Sequence, residues 1–173
     1  LTVNDAKRFS EFSKNQSKKI FSSLYKNNEE NTLVYGMFGY SEDLAQNIEP
    51  LDGDHSPIIG WAYDGNPIYG PYAYSDPKNI SDIKVIKPSY ELSTSLIVDR
   101  PDFEDGFFIE DYRYTGNGDL DKHNGRFGKT PEYPNGVYAY FVGVTTNITS
   151  STPAAFEPQY PYFIGDTYQS KFI

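Results

Sequence analysis

Apolar side chains follow two different rhythms along this chain. Over residues 4–26, Phe9, Phe12, Ile20, Phe21, Leu24 and Tyr25 recur on one broad face, with Lys7, Lys14, Lys18 and Lys19 opposite. This pattern predicts an amphipathic helix capped by Asn4 or Thr2 and ended by the polar run Asn27-Asn28-Glu29-Glu30-Asn31. Its basic face reads as a solvated face packed on its own domain rather than as a membrane contact.

From residue 32 the rhythm shortens. Thr32–Tyr35, Ile58–Tyr63, Ile83–Ile86, Ser95–Val98, Phe107–Tyr114 and above all Gly136–Thr145 read as short strands. Turn signals separate them: Asp52-Gly53-Asp54, Asn117-Gly118-Asp119 and Pro134-Asn135-Gly136. Pro67–Pro77 reads as turns and irregular wrap, and residues 149–162 as an extended, proline-bearing wrap over the surface. The expected fold is mainly β, α+β at the margin: a single compact antiparallel β-rich domain with long ordered Tyr, Gly and Pro loops. The expected division is a helix and connector over 1–31 and the β-rich domain over 32–173.

Composition sharpens this picture. Sixteen tyrosines and twelve phenylalanines against one methionine favour strands and turns over packed helices. At 173 residues the chain can bury a core without staples, and the absence of cysteine excludes disulfides and thiolate metal sites. A formal charge of −9 argues against nucleic acid and against an anionic membrane as partners. The longest apolar runs, such as Tyr138–Val142, are only strand length, so no membrane insertion is expected. Because the chain begins at Leu1, it is expected to be a processed or excised piece of something longer.

Two stretches concentrate the chemistry. The first, HSPIIGWAYDGNPIYGPYAY over residues 55–74, runs a strand into the reversal Tyr63-Asp64-Gly65-Asn66-Pro67. Gly65 suits a positive φ, and Pro67 biases Asn66 towards extended backbone. Asp64 at the tip is either a turn former bonding nearby amides or a site residue. The second runs from Glu110 to Arg126. In it Asn117, Asp119 and Asp121 alternate as oxygen ligands do in calcium loops. The helix-loop-helix calcium pattern is not met: counted from Asn117, position six is Lys122 and position twelve is Gly128. His55 and His123, the only histidines, lie one in each stretch. With Asp64, Asp119 or Asp121 they make a candidate zinc site, and Asn117, Asp119 and Asp121 make a candidate structural calcium site. No nucleophile elbow or phosphate loop is present.

Taken in order, HSPIIGWAYDGNPIYGPY (55–72), FIEDYRYTGNGDLDKHNGRF (108–127), TPEYPNGVYAYFV (130–142) and YPYFIG (160–165) resemble the YHYH family, found in bacterial secreted proteins and in large virion proteins of marine bacteriophages. The combination is far more specific than any one segment. The Tyr-His-Tyr-His motif that names the family precedes the first segment. Here the preceding Val34-Tyr35-Gly36-Met37-Phe38-Gly39-Tyr40 contains no histidine.

The resemblance implies a virion or extracellular location and, with the name motif absent, a domain kept for shape. The expected function is a non-enzymatic structural or binding domain of a phage virion, in a tail, fibre or other appendage. Its binding face would be built from His55, Trp61, Tyr63, Asp64, Asn66, Tyr69 and Tyr72 and would contact other virion subunits or a host-surface glycan, with a homotrimer as the expected assembly. The alternative is a metal-dependent hydrolase of surface polysaccharide, with His55, His123 and Asp64 or Asp119 as ligands and Asp121 or Glu132 as general base.

Overall fold

The computed structural model describes residues 22–27, 32–37, 54–93, 105–146 and 156–171. The chain forms two units, Leu1–Asn47 and Ile48–Ile173. Among the described residues the structure is strand and turn, with one 3-10 turn at Ile109–Asp111. No helix among them is long and apolar enough to cross a membrane.

In the first unit, β1 (Ser22–Asn27) and β2 (Thr32–Met37) pair antiparallel from Ser22↔Met37 to Asn27↔Thr32. This corrects the end of the expected helix, since residues 22–26 are strand. Paired serines at 22 and 23 and Asn27 disfavour a helix interior, whereas Thr32–Tyr35, only four residues on, offers a β-branched and aromatic partner. The rest of that expected helix lies outside the described residues, as does the strand expected at Ser95–Val98.

The second unit is built around a four-stranded sheet ordered β3 (Ile58–Trp61), β4 (Pro67–Tyr69), β10 (Val137–Phe141), β9 (Gly125–Gly128). Three two-stranded ladders join β5 (Tyr72–Tyr74) to β6 (Ile83–Val85), β7 (Tyr90–Leu92) to β8 (Tyr112–Tyr114), and β11 (Val144–Thr146) to β12 (Phe156–Pro158). Every pairing is antiparallel except β4–β10, where Tyr140 lies beside Ile68 and Phe141 beside Tyr69. The Pro67–Pro77 stretch, expected to be irregular, therefore carries two short strands. Pro67 is tolerated because it is the first residue of its strand, at the hairpin end.

Strand alternation sorts β10 into two faces. Val137, Ala139 and Phe141 join Ile58, Tyr69, Ala73, Ile86 and Leu120 in the apolar core. Tyr138 and Tyr140 point the other way, their rings edge to face at 5.4 Å. Gly125, paired with Tyr140 across β9–β10, leaves space for the Tyr138 ring that a Cβ would fill. Residues 163–171 reach the tyrosine face: the Gln169 amide donates to the Tyr140 hydroxyl at 2.8 Å, and the Tyr168 ring lies edge-on to that of Tyr140.

Candidate functional site

The β3–β4 hairpin has a rigid turn. Gly65 adopts φ +82°, its amide donates to the Ala62 carbonyl, and the Ala62 amide donates to the Asn66 carbonyl, both at 2.9 Å. Asp64 binds the turn to the rest of the unit. Its Oδ1 accepts the Asn66 amide at 3.2 Å. Its Oδ2 accepts Asn66 Nδ2 at 2.9 Å, the Tyr140 hydroxyl at 2.6 Å and the Ser170 amide at 3.2 Å. Burial alone would raise the Asp64 carboxyl, but these bonds outweigh it and hold it below the usual carboxylate range. Burial and the same bond push the Tyr140 hydroxyl far above its ordinary value, so it stays a donor.

Where β3 enters this anchored turn, two aromatics face water. Trp61 is 57% exposed and Tyr63 is 87% exposed. Tyr63 lies edge-on to Tyr168 at 6.4 Å, so the tip and the C-terminal segment present one aromatic surface.

The base of the hairpin is different in character. His55 is only 7% exposed and is enclosed by Tyr69 and Tyr74, each with its ring centre at 5.0 Å, and by Phe141 at 6.3 Å. Burial lowers its pKa, against the Ser56 hydrogen bond and the Glu132 charge, which raise it. The Tyr69 hydroxyl lies 2.8 Å from Glu132 Oε2 and 2.9 Å from Thr130 Oγ1. Its single proton belongs to the carboxylate, the charged acceptor, and Thr130 donates in turn. Arg126 on β9 donates to the Tyr74 carbonyl and sets its guanidinium 5.5 Å over the Phe141 ring.

The proposed binding-face residues are thus divided. Trp61 and Tyr63 form the exposed tip, Asp64 and Asn66 lock it, and His55 and Tyr69 are packed inside. Tyr72 is half-buried, its backbone paired with Ser56 through amide and carbonyl. The second stretch is divided too. Asn117 donates to Glu91 at 3.1 Å, Asp119 pairs with Lys84 at 2.5 Å and accepts the Lys87 amide at 3.0 Å. Asp121 accepts the His123 and Gly125 amides and the Tyr138 hydroxyl. His123 donates from Nδ1 to the Thr167 carbonyl at 2.8 Å. The alternating side chains of Asn117, Asp119 and Asp121 therefore serve three different neighbours, Asn117 through its amide nitrogen. Among the described residues no three His, Asp or Glu side chains gather as metal ligands.

Sequence reasoning passed over Tyr140, Ser170 and Arg126. Tyr140 had a signal, the strong alternation of Gly136–Thr145, which makes Tyr138 and Tyr140 one polar-tipped face. Arg126 and Ser170 had none, because their roles depend on pairings 52 and 106 residues away.

No curated protein and no solved structure matches the chain. The sequence model of the YHYH protein family matches residues 16–155, a span that contains the whole hairpin, the Asn117–His123 loop, Glu132 and Tyr140. The chain belongs to the YHYH protein family.

Proposed function

We propose that this chain is a non-enzymatic binding domain displayed outside the cell, on a virion appendage, and that its Trp61–Tyr63 tip stacks on a sugar ring of a host-surface glycan. The observation that carries the reading is the pairing of exposure with rigidity. Adjoining exposed aromatics form the kind of apolar patch that marks an interaction surface. Here they stand on a turn held by four hydrogen bonds to Asp64, so little ordering entropy is lost on binding. Asp64 and Asn66 contribute stiffness in this reading, and His55 and Tyr69 contribute support from beneath. Neighbouring virion subunits are the second class of partner, with a homotrimer as the proposed assembly.

The test is binding of the purified chain to immobilised cell-surface polysaccharides, compared with Trp61→Ala and Tyr63→Ala. Loss of binding in both variants, with melting temperatures within a degree or two of the parent, supports the reading. Parental binding in both variants, or binding to no polysaccharide, ends it. Sedimentation of the same samples reads the assembly.

A further inference from the structure

The base of the hairpin carries two unspent polar groups that the tip does not use. His55 Nδ1 lies 2.8 Å from the Ser56 carbonyl. A carbonyl only accepts, so Nδ1 holds the ring proton and Nε2 presents a bare lone pair. That Nε2 is buried and has no hydrogen-bond partner. Leaving such an acceptor dry is unfavourable. Two nearby donors are committed elsewhere, the Tyr69 hydroxyl to Glu132 and Arg126 Nη2 to the Tyr74 carbonyl.

Arg126 is the complementary case. Its guanidinium carries five N–H donors, yet its contacts are one backbone carbonyl and the face of Phe141. Among the described residues no carboxylate is in ion-pair contact with it, and Asp119 and Asp76 act on it only at longer range. The two groups share their neighbours: Tyr74 touches both, and Phe141 lies beneath the guanidinium and beside the imidazole. At the rim of the cluster Glu132 is exposed and Arg126 half-buried.

We propose that His55 and Arg126 form a second, small-molecule site that takes a hydroxy acid, whose hydroxyl donates to His55 Nε2 while its carboxylate accepts from Arg126. The chemistry follows from the inventory: one acceptor lacks a donor, one cation lacks an anion, and a hydroxyl beside a carboxylate supplies both. Sugar acids and small 2-hydroxy acids share this chemistry. The site is independent of the glycan reading, since it lies at the Ile58↔Tyr69 end of the hairpin, away from the Trp61↔Pro67 end.

The test is calorimetric titration of the full chain with D-glucuronate and with lactate, with acetate and D-glucose as controls lacking the hydroxyl or the carboxylate. At least one hydroxy acid should bind, and each control should bind about tenfold more weakly or not at all. Glucuronate alone assigns the site to sugar acids, and lactate alone or both assigns it to hydroxy acids more broadly. His55→Phe and Arg126→Gln should each weaken binding about tenfold, and Trp61→Ala should leave it unchanged. Failure of both hydroxy acids, acetate binding as tightly, or loss in Trp61→Ala without loss in His55→Phe overturns the proposal. Should either base variant fail to fold, nitrogen NMR of the parent chain decides. Saturating ligand must move the His55 Nε2 resonance, and an unmoved resonance overturns the proposal equally.

Discussion

The Tyr140 hydroxyl donates to Asp64 Oδ2 at 2.6 Å, across 76 residues of sequence. One bond thereby couples the reversal of the β3–β4 hairpin to the polar face of β10. Its strength comes from the charge on the acceptor and the full burial of the donor, whose ring is 0% exposed. The Gln169 amide closes onto the same hydroxyl, so Tyr140 fixes the C-terminal segment as well as the turn.

Tyr140→Phe keeps the ring and removes that hydroxyl. Asp64 loses its shortest donor and the Gln169 amide loses its acceptor. The expected cost is about 1.5–3 kcal/mol, the range for a hydrogen bond to a charged group. Urea unfolding followed by Trp61 fluorescence measures it. A variant within about 0.5 kcal/mol of the parent would show that the clasp contributes nothing net.

Two glycines separate conformational strain from steric overlap. At Gly65, φ is +82° and no atom lies within 4 Å of an added Cβ, so Gly65→Ala should cost only the left-handed backbone penalty, about 1–2 kcal/mol. At Gly118 an added Cβ would run into the Pro88 and Lys87 carbonyl oxygens, both backbone atoms that cannot swing aside. Gly118→Ala should therefore cost distinctly more than Gly65→Ala, and equal melting temperatures for the two variants would contradict this account.

What the sequence made legible follows from how local each determinant is. The Asp64-Gly65-Asn66 reversal rests on residues within a few positions of one another, and it is present as expected. The β-rich class follows from aromatic and turn-forming composition and is present too. The end of the expected helix failed because the apolar spacing of Leu24 and Tyr25 suits either rhythm, and a pairing partner at 32–37 decided between them. The acidic loop could not be read for the same reason. Asn117, Asp119 and Asp121 alternate as a ligand set does, but Glu91, Lys84 and Tyr138 engage them, and those strands arrive from elsewhere in the chain. The parallel β4–β10 pairing is likewise invisible locally, though it sets Tyr69 against Phe141 with stacked rings 5.8 Å apart.

Asp64 also sets an acid limb. Its folded pKa is depressed, so the folded state binds fewer protons than the unfolded chain, in which the group titrates near 3.8. The stabilisation is complete above that unfolded value and is lost as pH falls through the lower folded one. Melting temperatures taken downward from pH 5 should fall, and Asp64→Asn should start lower and fall less steeply. Parallel curves for parent and variant would remove Asp64 as the source of that slope.

His55 acts in a separate window, by the same direction of argument. Burial keeps its folded pKa below the ordinary value near 6.5, and Arg126 opposes protonation, while the Ser56 hydrogen bond, Glu132 and the neutral rings of Tyr69 and Tyr74 do not reverse the shift. The unfolded chain therefore takes up the proton first as pH falls. Stability is fully present above about pH 6.5 and declines below it, until the folded imidazole itself protonates. His55→Gln retains an amide donor for the Ser56 carbonyl but cannot titrate. Between pH 7.5 and 5, well above the Asp64 window, the parent should lose melting temperature and His55→Gln should stay level. A parent curve that is flat across this range would mean that His55 protonates in place, which a buried imidazole beside Arg126 should resist.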